Sequence, residues 1–359
     1  APEALRGLDD RDDRRPPRPE PRHRFRSRLR EDERAELDVR ERAEVVLDVA
    51  ACALNHLDVD VREGVSRFPV EPPHVLGLEV VGRIVDVGAD VEGWREGDRV
   101  MPYLMDTCGR CRFCVTGRES LCLAAGFVSF VHSGGYAERL VCSASQLIRV
   151  PPEIGDREAA ALQIAFATAW HMLFTRGNLR AGETVLVNAV GSGIGSAAVQ
   201  LASMAGAYVI GTASSDEKLA RAAELGMEAG VNHARQDVVE EVMRLTEGRG
   251  VDLVYEHCGG DHFQKGLDSL SKDGRLVICG GHAGEVVPFD IIPFFRAQKS
   301  VIGSFVYTRA EVETCIELAR RGRIVPLVHS AFPLEQARDA MELMESRDFF
   351  GKIVLTPGG

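Results

Sequence analysis

The chain has 359 residues, which is long enough for two domains with substantial hydrophobic cores. Its formal net charge of −11 argues against a nucleic-acid partner, because such a partner requires a basic face. The long apolar stretch at 185–213 is interrupted by Asn188, glycines and serines, which argues against a membrane span.

The chain begins with a charged segment, which is followed by a β-rich region. Residues 1–43 are dominated by Arg, Asp, Glu and Pro without apolar periodicity, so we expect this segment to be poorly ordered. Short apolar runs at 45–50, 80–87 and 98–100 then alternate with glycine turns. This pattern predicts the strands of a compact β-rich domain.

Four cysteines come next, in the spacing C-x2-C-x2-C-x7-C. They are Cys108, Cys111, Cys114 and Cys122. Four thiolates in one short lobe (108–122) predict a closed tetrahedral site for one structural zinc ion, with an iron–sulfur cluster as the alternative. Because metal-binding thiols of this kind are typical of reducing compartments, we expect a cytoplasmic protein.

A glycine turn between a strand and a helix follows a helical stretch predicted at 156–175. The apolar strand 185–187 breaks at Gly191-Ser192-Gly193-Ile194-Gly195, and small apolar residues continue at helical spacing to 202. Free amides and the positive end of a helix dipole meet at such a turn, so it predicts a pyrophosphate site.

Strands and helices alternate after this turn. Strands are predicted near 207–211, 251–254, 275–278 and 301–303, and a helix is predicted at 216–225. This alternation favours an α/β, doubly wound parallel sheet.

Four further elements follow Tyr307. They are helices at 309–321 and 334–345 and strands at 325–329 and 352–355, and we expect them to complete the first domain.

Several motifs together resemble the medium-chain dehydrogenase/reductase superfamily, which includes zinc-type alcohol dehydrogenases and quinone oxidoreductase-like enzymes. Besides the cysteine lobe and Gly191–Gly195, they are Asn55-x-x-Asp58-x-x-x-Arg62-x-Gly64, Gly97-Asp98-Arg99-Val100 and Gly134-Gly135-Tyr136-Ala137-Glu138. The resemblance covers about 44–359. It implies a GroES-like catalytic domain (44–164 and 307–359) and a Rossmann dinucleotide-binding domain (165–306).

The resemblance also points to a missing catalytic metal site. Alcohol dehydrogenases of this superfamily hold a second, catalytic zinc ion, and the matching positions here are Asn55, Leu78 and Ile164, with only Glu79 retained. Leu57 replaces the hydroxyl-bearing relay residue. Because leucine and isoleucine cannot coordinate zinc, we expect the zinc-free branch, which reduces activated C=C bonds or quinones by hydride transfer.

Catalytic candidates are few. Asn55 matches the zinc-free branch and is predicted to orient a carbonyl group or the nicotinamide ribose, although a turn role explains it equally well. Tyr103, His132 and His56 are candidate proton donors by residue type. Asp58, with His56 and Glu79, is the candidate for an improvised catalytic site.

The resemblance implies that Thr168 and Ile194 contact the nicotinamide, and that Cys279, Gly280, Ser304 and Val306 flank its carboxamide. Ala213 stands where an acidic residue would bind the ribose of NADH. Nearby hydroxyl and basic groups predict NADPH instead, with NADH as the weaker alternative; these are Ser214, Ser215, Lys218 and His233. Ser214-x-x-Glu217 also has the pattern of a helix capping box.

The sequence leaves more than one oligomeric state and more than one function open. By resemblance, the strand at 300–306 pairs subunits, which predicts a homodimer or a homotetramer. The leading hypothesis is an NADPH-dependent reductase acting on a small molecule. The alternatives are a zinc-type alcohol dehydrogenase and a catalytically lapsed NADPH-binding protein.

Overall fold

The computed structural model describes residues 43–66, 68, 70–131 and 133–358. The charged segment predicted at 1–43 lies outside this part of the chain except for its last residue. His132, a candidate proton donor, also lies outside it.

The first sheet has seven strands from the two ends of the described chain. They are β1 (Glu44–Ala53), β2 (Glu79–Val87), β3 (Arg99–Pro102), β6 (Arg139–Ser143), β7 (Leu147–Arg149), β14 (Val328–Pro333) and β15 (Lys352–Thr356). Their order is β14-β15-β1-β2-β3-β7, with β6 also paired to β1. A separate two-stranded sheet joins β4 (Met105–Asp106) to β5 (Gly126–Phe127).

The second sheet has six strands, and all of its pairs are parallel. They are β8 (Thr184–Val187), β9 (Tyr208–Ala213), β10 (Ala229–Asn232), β11 (Val251–Glu256), β12 (Leu270–Ile278) and β13 (Ser300–Gly303). Their order is β10-β9-β8-β11-β12-β13. The order reverses between β8 and β11, which is where ligands bind in doubly wound folds.

Helices lie between these strands. Those in the described residues are α1 (His56–Glu63), α2 (Val128–Val131), α3 (Asp156–Ala160), α4 (Thr168–Trp170), α5 (Gly193–Met204), α6 (Asp216–Glu224), α7 (Val238–Leu245), α8 (Asp261–Ser269), α9 (Ile291–Arg296), α10 (Arg309–Arg320) and α11 (Ala337–Ser346). None of them is long and apolar enough to cross a membrane.

The apolar runs that predicted strands are buried, as expected for a sheet covered on both faces. All four residues of β8 are buried, and so are five of the six in β11. The structure therefore contains both a β-rich sheet and a doubly wound parallel sheet, as the sequence predicted.

The return of the chain to the first sheet positions the candidate site. β15 pairs antiparallel with β1, with Cys52 opposite Leu355. The amide of Leu54 also donates to the carbonyl of Ile353 at 2.9 Å. This register places the start of β15 beside the residues that follow β1, among them Asn55.

Candidate active site

A lysine and a glutamate form a buried ion pair beside Asn55. Lys352 opens β15 and Glu79 opens β2, and their side chains are 8% and 1% exposed. Lys352 Nζ lies 2.8 Å from Glu79 Oε2 and donates to Asn55 Oδ1 at 2.7 Å. It also donates to the carbonyl oxygen of Leu54 at 2.6 Å. All three ammonium hydrogens thus have acceptors.

The second oxygen of Glu79 is held by the main chain. Glu79 Oε1 accepts from the amide of Ile164 at 2.6 Å. Ile164 lies in a π-helical turn, Gln163–Ala167, and such turns are frequent at functional sites. Glu79, the one retained residue of the zinc-ligand pattern, is therefore bound by an ammonium group and an amide.

Asp58 lies buried next to this network. Its Oδ2 accepts from the amide of Asn55 at 2.8 Å and from the hydroxyl of Tyr136 at 2.9 Å. Its Oδ1 has no hydrogen-bond partner among the described residues. Burial raises the pKa of Asp58 to about 6, although both hydrogen bonds oppose this rise. Asn55 is also the N-cap of α1, and its amide donates to the Asp58 side chain, so Asn55 does have the turn role considered for it.

Tyr103 does not lie where a proton donor would be needed. Its hydroxyl donates to the carbonyl of Tyr307 at 2.6 Å, and the residue is 3% exposed. Burial raises the pKa of Tyr103 well above its ordinary value. Because a proton donor must reach substrate or water, this placement gives Tyr103 a structural role instead of the catalytic role suggested by residue type.

The glycine turn joins β8 to α5 as predicted. Ser192 is the N-cap of α5, and its Oγ accepts from the amide of Gly195 at 2.9 Å. A Cβ at Gly195 would lie 2.3 Å from the carbonyl oxygen of Ala189, so the turn closes too tightly for a side chain there. The amides of Gly193 and Ile194 have no acceptor inside the helix and can bind an anion.

Side chains with donor groups adjoin this turn. A Cβ at Gly193 would lie 2.6 Å from Cδ of Lys352, so the buried network and the turn are in contact. Ser192 Oγ lies 3.1 Å from Nε2 of His257. Burial, with His282 nearby, lowers the pKa of His257 to about 3, so this imidazole is neutral at physiological pH.

Basic groups gather at the end of β9, where the ribose is expected. Ser215 is the N-cap of α6, so the capping box proposed from Ser214 is wrong by one residue. Ser214 is exposed, and Lys218 Nζ donates to the carbonyl of Arg347 at 2.6 Å. Burial lowers the pKa of His233, and His262 and Lys218 lower it further.

Residues expected around the nicotinamide lie against one hydrophobic cluster. Ile194, Cys279 and Val306 pack against it, and α4, which begins at Thr168, contacts α5. The amide of Ser304 donates to the carbonyl of Ile278 at 2.8 Å, while its Oγ is buried without a partner in the described chain.

Gly280 lies in close contact with the main chain of His257, the residue that follows β11. A Cβ there would lie 2.4 Å from the carbonyl oxygen of His257. The loop after β12, expected beside the carboxamide, is thus held close to the loop after β11.

The cysteine lobe fits a tetrahedral metal. Its sulfur atoms are 3.6 Å apart for Cys111–Cys114 and for Cys108–Cys122, and 4.0 Å apart for Cys108–Cys114. Four Zn–S bonds of ordinary length place sulfur atoms about 3.8 Å apart. The amides of Cys108 and Ala124 donate to Cys122 Sγ, each at 3.4 Å, and hold this sulfur atom in place.

Aromatic rings gather near the expected nicotinamide region. Phe68 is stacked on Phe130 with centroids 5.1 Å apart, and Phe127 meets Phe68 edge-on at 5.3 Å. Phe127 also meets Phe305 at 5.9 Å. Since Phe305 lies between Ser304 and Val306, this cluster joins the first domain to the second beside the expected nicotinamide position.

Sequence reasoning missed Lys352 and Tyr136 as residues of the candidate site. A lysine that opens the otherwise apolar strand Lys352–Thr356 was an available signal, because a charged residue at a buried strand position needs a partner. Tyr136 lay in a quoted motif, but its contact with Asp58 joins positions 78 residues apart.

Comparison with known proteins agrees with this architecture. Residues 41–152 match the alcohol dehydrogenase GroES-like domain family, and residues 193–321 match the zinc-binding dehydrogenase family. A solved structure of an NAD-dependent alcohol dehydrogenase is 37% identical, with a TM-score of 0.84 over 90% of this chain and 94% of that one.

Two curated relatives carry different names. An alcohol dehydrogenase of Geobacillus stearothermophilus is 31% identical over 341 residues, which are 91% of this chain and 94% of that protein. A quinone oxidoreductase-like protein 2 homolog of Nematostella vectensis is 29% identical over 326 residues, which are 87% of this chain and 81% of that protein. The chain belongs to the medium-chain dehydrogenase/reductase superfamily of oxidoreductases, whose alcohol dehydrogenase-like members bind NAD(P) and zinc.

Proposed function

We propose that this protein is an NADPH-dependent oxidoreductase that reduces an activated C=C bond or a quinone without a catalytic zinc ion. The observation that carries the proposal is the donor set beside Asn55. Leu78 and Ile164 offer no metal-ligating side-chain atom, and Glu79 is bound by Lys352 and by the amide of Ile164. An open Lewis-acid site needs three protein ligands, and these residues do not supply them.

The chain's own groups can polarise a substrate carbonyl. The nicotinamide supplies the hydride when the dinucleotide is bound. Asn55 Nδ2 donates only at 3.4 Å, to the carbonyl of Ala53 and to Glu79, so it can turn to a stronger acceptor. Lys352 holds Asn55 Oδ1 at 2.7 Å, which orients the amide and adds positive charge beside it. Hydride reaches the electron-poor carbon, and a proton from water or a side chain completes the reduction.

The expected substrate is a small apolar molecule with a flat conjugated group. The aromatic cluster of Phe68, Phe127, Phe130 and Phe305 supports this class, because stacked rings favour planar partners. We expect neither a nucleic-acid nor a membrane partner. Free thiols at all nine cysteines support a cytoplasmic location.

A substrate panel with metal analysis tests this function. Quinones, enones, enoyl thioesters and alcohol/aldehyde pairs are assayed with both nicotinamide cofactors, and zinc is counted per chain. We expect turnover of a quinone or conjugated alkene, and one zinc ion per chain, held by the cysteine lobe.

Two outcomes would contradict the proposal. Two zinc ions, with alcohol oxidation lost on chelation of one, would favour an alcohol dehydrogenase, the name that several relatives carry. NADPH binding without turnover of any panel member would favour a catalytically lapsed protein.

The preference for NADPH is tested at Lys218. We expect the ratio of kcat/KM for NADPH over NADH to exceed one. Lys218→Ala should lower this ratio by roughly tenfold, equivalent to about 1.4 kcal/mol, because its ammonium can turn from the Arg347 carbonyl to a 2′-phosphate. Lys272→Ala, at an exposed position of β12, is the control. A ratio below one in the wild type would refute the assignment.

We also propose a homodimer, or a homotetramer built from such dimers. β13 is an edge strand of the second sheet, with its outer side unpaired in the described chain. The segment 286–305, which contains β13, carries seven exposed apolar side chains; they are Val286 (92%), Phe289 (44%), Ile291 (65%), Ile292 (58%), Phe295 (60%), Val301 (38%) and Phe305 (48%). An apolar edge strand of this kind is normally covered by a partner.

A further inference from the structure

Three side chains outside the network described above converge from both domains. His56 opens α1, and Asp60 lies four residues later on the same face of that helix. His282 comes from the loop between β12 and α9, in the second domain. One potential ligand atom from each residue lies within 4.8 Å of the others.

The contacts within this triplet leave one imidazole unused. His282 Nδ1 lies 2.7 Å from Asp60 Oδ2, which is within ion-pair distance. The His56 ring meets the His282 ring edge-on, with centroids 4.6 Å apart. In the part of the chain that the structure describes, no hydrogen bond is formed by the ring nitrogens of His56. A simple His282–Asp60 pair therefore leaves the position of His56 unexplained.

The donor set is typical of a borderline transition metal. Two imidazoles and a carboxylate are ligands of Zn²⁺, Co²⁺ and Ni²⁺, usually with water in the remaining position. Tetrahedral bonds of ordinary length place nitrogen and oxygen ligands about 3.4 Å apart, so shifts of about 1 Å would suffice. His282 has a side chain 39% exposed, so an ion can enter from solvent.

We propose that His56, Asp60 and His282 bind one divalent transition-metal ion, which joins the two domains beside Asn55. This site differs from the cysteine lobe and uses none of the positions at which the family's catalytic zinc ligands are replaced. Because one ligand comes from the second domain, ion binding stabilises the arrangement in which both domains are close.

Cobalt titration of the full-length protein tests this site, with zinc left in the cysteine lobe. We expect one additional Co²⁺ per chain, with a visible spectrum that lacks the intense thiolate-to-cobalt charge-transfer band. The thermal unfolding midpoint should rise with Co²⁺ concentration, because the ion binds only the folded protein.

Single variants assign the ligands. His282→Ala and His56→Ala should each weaken Co²⁺ binding by roughly tenfold or more, as ligand loss does in other metal sites. They should also abolish the rise in the unfolding midpoint. His329→Ala removes a histidine of β14 that is not one of the three proposed ligands, and it should leave both readouts unchanged.

Two results would overturn the proposal. One is no cobalt bound beyond the cysteine lobe at millimolar concentration. The other is binding that His282→Ala leaves unchanged, since the ion would then lie elsewhere. Neither readout depends on turnover, so the result is independent of the proposed reductase activity.

Discussion

Lys352 places a positive charge beside Asn55 and Glu79. Its ammonium group contacts Glu79, Asn55 and the carbonyl of Leu54, all within 2.8 Å. A charge buried to this degree is tolerated only when it is paired and fully hydrogen-bonded. The network therefore fixes Asn55 and keeps a positive charge beside its side-chain oxygen.

Removing Lys352 should be strongly destabilising. Lys352→Met leaves the Glu79 carboxylate buried without a countercharge, so we expect the free energy of unfolding to fall by about 3–5 kcal/mol. Urea unfolding measures this loss. The free energy of unfolding should fall less in the double variant Lys352→Met/Glu79→Gln than in Lys352→Met, because the double variant has no unpaired buried charge.

An exposed cation provides the control for this experiment. Arg338 pairs with Glu342 on the surface of α11 with a side chain 85% exposed, so Arg338→Met should change stability little. If Lys352→Met were as mild as Arg338→Met, the buried pair would not be a determinant of stability.

Asp58 should make stability depend on pH in an unusual direction. Its pKa is raised in the folded state from 3.8 to about 6, so the folded protein binds its proton more tightly than the unfolded chain does. The resulting stabilisation is complete below pH 4 and is lost as pH rises through 6. Two pKa units correspond to about 3 kcal/mol.

The difference between wild type and Asp58→Asn isolates this contribution. Asparagine keeps an acceptor for the Asn55 amide and the Tyr136 hydroxyl but does not titrate. Chemical unfolding between pH 4 and pH 7 should show the wild type losing up to about 3 kcal/mol relative to the variant. A constant difference, or one of opposite sign, would contradict the assigned pKa.

Site residues could be predicted from the sequence where they lie close together along the chain. The four cysteines lie within fifteen positions, and the glycines of the turn within five, so spacing alone predicted the cysteine cluster and the strand–turn–helix that the structure contains. Lys352 and Asn55 are 297 positions apart, and only the pairing of β15 with β1 brings them together. No local pattern encodes such a contact.

The helical stretch at 156–175 shows how a tertiary contact changes an element. Periodicity predicted one helix, whereas the structure alternates α-helical and π-helical turns from Asp156 to Arg176. The first π turn contains Ile164, whose amide donates to Glu79. A side chain inserted into the ladder of helix hydrogen bonds is a known cause of such irregularity.

The boundaries of the C-terminal elements were also displaced. A strand was predicted at 325–329, but β14 runs over Val328–Pro333, and the helix predicted from 334 opens with a 3-10 turn, Leu334–Gln336, before α11 begins at Ala337. β14 is defined by its parallel pairing with β15, from Val328 opposite Lys352 to Pro333 opposite Thr356. The ends of β14 are set by its pairing register with β15, and the apolar content of the sequence does not reveal that register.

The glycine turn should depend on the absence of a side chain at Gly195. A Cβ there would lie 2.3 Å from the Ala189 carbonyl oxygen, so Gly195→Ala must displace the turn and the amides of Gly193 and Ile194. We expect the Kd for NADPH to rise by roughly tenfold or more. Gly303→Ala is the matched control, because nothing lies within 4 Å of its Cβ position.

Fluorescence titration with NADPH measures both glycine variants. An unchanged Kd for Gly195→Ala would show that pyrophosphate does not bind to these amides. Equal losses in both variants would point to general destabilisation instead of a local effect on the turn.

In the molecule as a whole, the candidate site lies where separate parts of the chain meet. The strand order of the second sheet reverses between β8 and β11, and the glycine turn follows β8. The first sheet contributes Asn55 and Glu79 from its beginning and Lys352 from its end. Domain type was predictable from motifs, but this convergence depends on the return of β15 to β1.

Assembly through β13 gives the last prediction. Val301 is 38% exposed on this edge strand, and Phe295 on the preceding helix is 60% exposed. Val301→Asp would place a charge in the proposed apolar interface, where an unpaired carboxylate is costly. We expect sedimentation to show an assembled wild type and a monomeric variant.

Val325→Asp is the control, since Val325 is 53% exposed but lies outside the edge strand. It should remain assembled. A monomeric wild type at micromolar concentration would refute the dimer, whereas an assembled Val301→Asp would place the interface on another face. The exposed apolar side chains around β13 would then need a different partner, because a surface of that kind is rarely left in contact with water.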